Sequence, residues 1–227
     1  MSLSHSMALV GHSASSLTTW SFISRITRVR RSQSATLWAT KPTITELSRA
    51  IFVDGNERVL NPDTLRDSVA FSVCLAQAAM DAIDTGVVID PVGDAALLAA
   101  RSYIAGGTRN NTLRRAAMDA FRAAQLLGHG PAFHVLHSAS AAAGAAFLHP
   151  PGGRYPAHQT KHILGAAAHF VLCIEALGGD ATVTTQSVLH DCPESVRMLL
   201  TLYPEPPSGT SRYAVLWSEL YAGMTSP

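Results

Sequence analysis

The strongest constraint on this chain is a repeated punctuation: an Asn, Asp or Pro start, an Ala-rich run with apolar residues three and four apart, then a glycine stop. Asn61-Pro62-Asp63 supplies an N-cap side chain, a proline at the first helical position, where its missing N–H is harmless, and an acid near the positive helix end. Leu65, Val69, Val73, Ala76 and Met80 then recur at helical steps toward Gly86. Asp90-Pro91 repeats the device ahead of Leu97, Leu98, Arg101 and Ile104, and Gly106-Gly107 supplies a left-handed stop.

Asn110-Asn111 caps TLRRAAMDAFRAAQLL. There Leu113, Ala117, Ala120, Phe121, Ala124 and Leu127 share one side, Arg114, Arg115, Asp119 and Arg122 mostly take the other, and Gly128 closes the run. Pro131 opens FHVLHSASAAAGAAFL, and after the HPPGGRY loop Pro156 opens a helix ended by Gly178-Gly179, so the pair predicts a helical hairpin. CPESVRMLLTLY and SRYAVLWSELYAG read as two final helices separated by PEPPSG, and TELSRAIF as a short early one. TVTTQSV fits a short strand or an irregular crossing equally well. With 47% apolar but only 7% aromatic residues, the core must form by close approach of small side chains. The expected fold is all-α: an Ala-rich antiparallel bundle of about six to seven helices, one domain over residues 46–227.

Residues 1–45 differ in kind. They contain no Asp or Glu, yet carry Arg25, Arg28, Arg30, Arg31 and Lys41 among many Ser and Thr, the composition of a flexible or targeting leader or of translated sequence upstream of the true start. Within them MALVGHSASS imitates the approach to a hydrolase nucleophile at Ser13, but Ser15 stands where a second glycine is needed and no helix pattern follows.

A formal net charge of +1 argues against a broad nucleic-acid face. Cys74, Cys173 and Cys192 are widely spaced and form no CxxC, which fits a reduced intracellular protein better than a disulfide framework, and no apolar run reaches the roughly 18 residues of a membrane span.

HQTKHILGAAAHFVLC places His158, His162, His169 and Cys173 within roughly 60° of one another on a helical wheel. Hairpin pairing would bring His169 level with His134 and His137. Imidazole and thiolate suit zinc, so His134, His137, His162, His169 and Cys173 are the candidate metal ligands. Against this, there is no HExxH, no carboxylate in the stripe and no zinc-finger spacing; histidines that hydrogen-bond across a tight Ala/Gly interface give the same pattern. His129 and His149 flank helix ends, where a ring can meet terminal carbonyls. His190-Asp191-Cys192 are adjacent, so they cannot face one another as base, orienter and nucleophile; Asp191 or Cys192 capping the next helix is expected instead. No catalytic residue and no cofactor fingerprint stands out.

From about Leu65 to Leu177 the chain resembles the all-α immunity proteins encoded beside bacterial polymorphic toxins. LRDSVAFSVCLAQAAMDAI matches the opening helix, DPVGDAALLAARSYIAGG the next, LRRAAMDAFRAAQ the Arg/Ala helix and HILGAAAHFVLCIEAL the terminal one. Within the last, His162 precedes Gly165, Ala166 and Ala167, with the aromatic offset to Phe170. The chain departs from the pattern at Tyr103, where tryptophan is more usual, and at the HPPGGRYPAHQTK insertion. The resemblance implies a cytoplasmic, non-catalytic protein that neutralises a cognate toxin by binding it. The exposed side of the Arg114, Arg115, Arg122 helix is one candidate surface for that, although a charged exposed face is usually just solvated. The alternative in a different class is a metal-binding helical-bundle enzyme or sensor built on the histidines.

Overall fold

The computed structural model describes residues 51–54, 57–83, 91–152 and 156–226. The chain divides into two units, Met1–Thr40 and Lys41–Pro227; the leader and Ser13 lie outside the described residues. A small antiparallel hairpin comes first, β1 (Ile51–Asp54) and β2 (Glu57–Leu60), with Ile51 opposite Leu60 and Asp54 opposite Glu57. The end of TELSRAIF is therefore strand, not helix: Ile51 and Phe52 belong to β1, and the residues before them lie outside the described part.

The helices begin where their caps dictate. In α1 (Pro62–Ala82) the Asn61 Oδ1 accepts the Asp63 N–H at 2.8 Å with Pro62 at the first position. Helix α2 (Val92–Ile104) follows Pro91 without a side-chain cap bond, and ends as Gly107 N–H reaches Ser102 O at 3.0 Å past Gly106 at φ +106°. Asn110 Oδ1 accepts the Leu113 N–H at 2.9 Å to open α3 (Asn111–Gln125). Pro131 opens α4 (Pro131–Gly144), which tightens into one 3₁₀ turn at Ala145–Phe147. Pro156 opens α5 (Pro156–Ala176), and it stops at Gly178, φ +82°, where Gly179 N–H reaches back to Ile174 O at 2.8 Å.

TVTTQSV is helical, as most of α6 (Ala181–Asp191). Asp180 decides it, its Oδ1 accepting from both Thr182 N–H at 2.8 Å and Val183 N–H at 3.0 Å. Two orphan donors satisfied by one carboxylate outweigh the mild helix aversion of Val and Thr. With α7 (Glu194–Thr201) and α8 (Arg212–Thr225) the described residues hold eight α-helices, one or two more than the sequence suggests.

Helices α4 and α5 form the centre. Helix α4 packs against α1, α2, α3 and α5, while α5 also meets α1, α6 and α8. Ala139, Ala142, Ala143, Ala166, Ala167 and Ala168 are buried, and a Cβ on Gly165 would come 3.1 Å from Ala141 Cβ, so the two backbones approach closely because the side chains between them are small. Hydroxyls of α4 tie it to both neighbours: the buried Ser138 Oγ donates to Ala166 O of α5 at 3.0 Å, and the half-buried Ser140 Oγ to Ala117 O of α3 at 2.8 Å. None of the described helices is long and apolar enough to cross a membrane.

Candidate functional site

Three of the predicted histidines meet where α4 crosses α5. His134 Nδ1 and His169 Nδ1 lie 3.1 Å apart, and the rings of His137 and His169 stack with centroids 4.7 Å apart and planes 12° apart. The hairpin geometry expected from sequence is thus present. Around them sit side chains from three helices: Phe133 of α4 edge-on to His134 and His137, Phe121 of α3 edge-on to His137 at 5.3 Å, and Tyr213 of α8 against His169 at 4.9 Å. Gln125 Nε2 is 3.0 Å from His137 Nε2, so as placed the amide donates and His137 carries its proton on Nδ1.

The rings are held neutral. Burial pushes His134 down to about 4, helped by His137 and His129 and opposed by Glu175. Burial lowers His137, with His129 adding to it, and lowers His169 well below the ordinary value, with His137 and His134 adding to it. The Tyr213 phenol is pushed up to about 12 by burial, so it stays protonated.

The other two candidate ligands go elsewhere. His162 lies at the far end of the α4–α5 seam, its Nδ1 3.6 Å from where a Gly144 Cβ would sit, with its pKa lowered by burial and then by His149. Cys173 Sγ faces α1, 3.8 Å from Ala79 O, and burial pushes its thiol up to about 12. His158 is exposed. Among the described residues no three of His, Cys, Asp or Glu are arranged to hold a metal ion. His134 and His169 turn their Nδ1 atoms on each other, but the stacked His137 presents its face to His169 and its Nε2 engages Gln125, so it adds no third nitrogen to that pair.

The remaining polar candidates have structural surroundings. His129 packs on Phe133 with ring centroids 4.6 Å apart, and the His149 backbone is tied at both ends, its N–H to Gln159 Oε1 at 3.1 Å and its O to the Tyr203 hydroxyl at 2.6 Å. Neither Asp191 nor Cys192 caps α7, whose N-cap is Pro193 without a side-chain bond. Instead Cys192 is buried with Sγ 3.6 Å from Met224 Sδ, and its thiol is pushed up to about 12, chiefly by burial. A thiol held so far from ionisation is a poor nucleophile.

The outward face of α3 is the other candidate surface. Arg114 lies over the Phe147 ring at 4.8 Å and Arg122 pairs with Asp119 at 3.2 Å. Phe121 and Leu127, read from sequence as packing residues, sit at the edge of the helix interface and are 41% exposed each.

Sequence reasoning missed Phe121, Gln125, Phe133 and Tyr213 as members of the cluster. The available signal was the four-residue spacing of Phe133 with His137 and of Phe121 with Gln125; nothing local marks Tyr213. Comparison with protein-family models, with curated proteins and with solved structures finds no match to this chain.

Proposed function

We propose that this chain is a non-catalytic, cytoplasmic protein-binding module, in the manner that its resemblance to immunity proteins implies: it neutralises a cognate toxin by holding it. The observation that carries this reading is the outward face of α3, where exposed arginines stand among exposed Met118 and Phe121, with exposed Leu126 and Leu127 just past the helix end. Arg, Met and aromatic side chains are the types enriched at protein interfaces. The polar residues that would otherwise suggest chemistry support the same reading, since His134, His137 and His169 are neutral packing rings and Cys173 and Cys192 are buried thiols.

Expression of the neighbouring open reading frame in bacteria, with and without this chain, tests the proposal. Growth arrest by the neighbour and relief on co-expression are expected. Persistent arrest in the presence of this chain, or a locus whose neighbours are harmless, contradicts it.

A further inference from the structure

Charge in this chain is segregated. From Ala95 to Ile174 the sequence carries seven Arg and Lys residues and one acid, Asp119, although the formal net charge of the whole chain is only +1. From Glu175 to the end the balance reverses, with six acids and two arginines. Four of the seven bases gather on or beside α3: Arg109 just ahead of its cap, then Arg114, Arg115 and Arg122, all exposed. The single acid is spent on Arg122, so among the described residues Arg109 and Arg115 make no ion pair.

Apolar side chains protrude beside these bases, Met118 and Phe121 among them on α3 and Leu126 and Leu127 just past its end. Met118 is 43% exposed, Phe121 41%, Leu126 87% and Leu127 41%, half of the eight large apolar side chains that stand exposed among the described residues. They are not a misplaced core, because α3 already buries Leu113, Ala117, Ala120 and Ala124 against the bundle. At about 100° per residue Arg114, Met118, Phe121 and Gln125 form one line along the helix, and Arg115 and Arg122 flank it on the side away from α4. On the other side Phe121 and Gln125 rest on His137, which fixes the line to the rigid α4–α5 seam.

We infer that this face docks an acidic protein surface, with carboxylates opposite Arg109, Arg115 and Arg122 and an apolar side chain seated between Met118 and Phe121. The inference rests on the binding reading above and adds the chemistry of the partner. A guanidinium fork matches a carboxylate with two parallel hydrogen bonds, and α3 presents arginine without lysine. A phosphate backbone would leave the four apolar side chains without partners. A bilayer is disfavoured because the continuous apolar face of α3 is turned into the bundle, so only isolated side chains reach outward.

Fluorescence anisotropy on the full chain tests this. The probes are a labelled helical peptide alternating Glu with Leu and Phe, the same peptide with Gln for every Glu, a duplex DNA of arbitrary sequence, and vesicles of phosphatidylserine in phosphatidylcholine. The Glu peptide is expected to bind about tenfold or more tighter than the Gln peptide at low salt, an advantage that shrinks as salt shortens the reach of exposed charges. The double substitution Arg115→Glu, Arg122→Glu should erase that advantage with a melting temperature close to that of the unsubstituted chain, and Phe121→Ala should weaken both peptides about tenfold, assayed below its own melting transition because Phe121 also rests on His137. Equal affinity for the Glu and Gln peptides overturns the acidic partner while leaving a binding module. Preference for DNA or vesicles overturns it and gives the face to that class of ligand. Binding of no probe overturns it as well, and the co-expression experiment then judges the binding reading separately.

Discussion

His134 and His169 face each other Nδ1 to Nδ1 at 3.1 Å, so one ring must donate a proton and the other must accept it. Adding one proton at an outer Nε2 keeps that bond but buries a charge; adding a second sets N–H against N–H and breaks it.

Stability should therefore fall in mild acid. The pKa values of His134, His137 and His169 lie below 6.5 in the folded chain, the value an unfolded histidine takes. Above about 6.5 both states are neutral and the full stability is present; below it the unfolded chain takes protons that the folded one refuses, and stability is lost until the folded value is reached, about 4 for His134. Partial exposure screens the effect, leaving an expected loss of about 1–2 kcal/mol between neutral and pH 5, or a few degrees of melting temperature. Thermal melts across that range check it, and His134→Gln should flatten the slope. A melting temperature that holds steady or rises on acidification would exclude neutral burial.

Arg197 should be the most sensitive charged residue in the C-terminal part. Its Nε donates to Cys192 O and its Nη1 to Gly223 O and Met224 O, each at 3.4 Å, while Nη2 donates to Leu189 O. One cation thereby meets the carbonyl ends of both α6 and α8, where helix dipoles favour it. Arg197→Ala is expected to cost about 3 kcal/mol, and Arg197→Lys about half of that, because an ammonium cannot span the same carbonyls. Urea denaturation reads both; a loss below about 0.5 kcal/mol for the alanine variant would remove Arg197 from this role.

Two glycines of the central seam should respond in opposite directions. A Cβ on Gly165 meets Ala141 Cβ at 3.1 Å, so Gly165→Val forces α4 and α5 apart and should cost about 1–3 kcal/mol. At Gly144 the nearest atom is His162 Nδ1 at 3.6 Å, an ordinary contact, and Gly144→Ala should be neutral or gain up to about 1 kcal/mol from reduced chain entropy. Melting temperatures of the two variants compare them directly.

Zinc should not stabilise the protein. A ligand that binds only the folded state raises the melting temperature by mass action, and a stacked His137–His169 pair offers no ligand set for one. An increase on adding zinc that disappears in His134→Ala, His169→Ala would restore the metal reading.

Local signals were legible in the sequence and distant ones were not. Asn61, Asn110 and Gly178-Gly179 start and stop helices through bonds to residues within five positions, and Pro131 and Pro156 by their own fixed backbone angle at a helix start, so their neighbours in sequence suffice. The height of His169 opposite His134 followed from hairpin pairing. The helical wheel misled for His162 and Cys173 because it shows direction and hides distance along the axis: His162 is seven residues from His169, about 10 Å, and Cys173 turns to the α1 carbonyl of Ala79. Tyr213 reaches the cluster from α8 by tertiary packing, which no local pattern encodes. In α6, the four β-branched residues Thr182 to Thr185 at the helix start hid a cap that Asp180 makes decisive.

The most direct measurement places two double substitutions side by side, each assayed for melting and for binding of the acidic peptide. His134→Ala, His169→Ala should melt several degrees lower yet bind like the unsubstituted chain below its transition, whereas Arg115→Glu, Arg122→Glu should melt normally and bind at least about tenfold more weakly. The opposite pattern, with binding lost at the histidines in a fully stable fold and untouched at the arginines, would contradict a scaffold whose imidazoles hold its helices together and whose α3 face meets the partner.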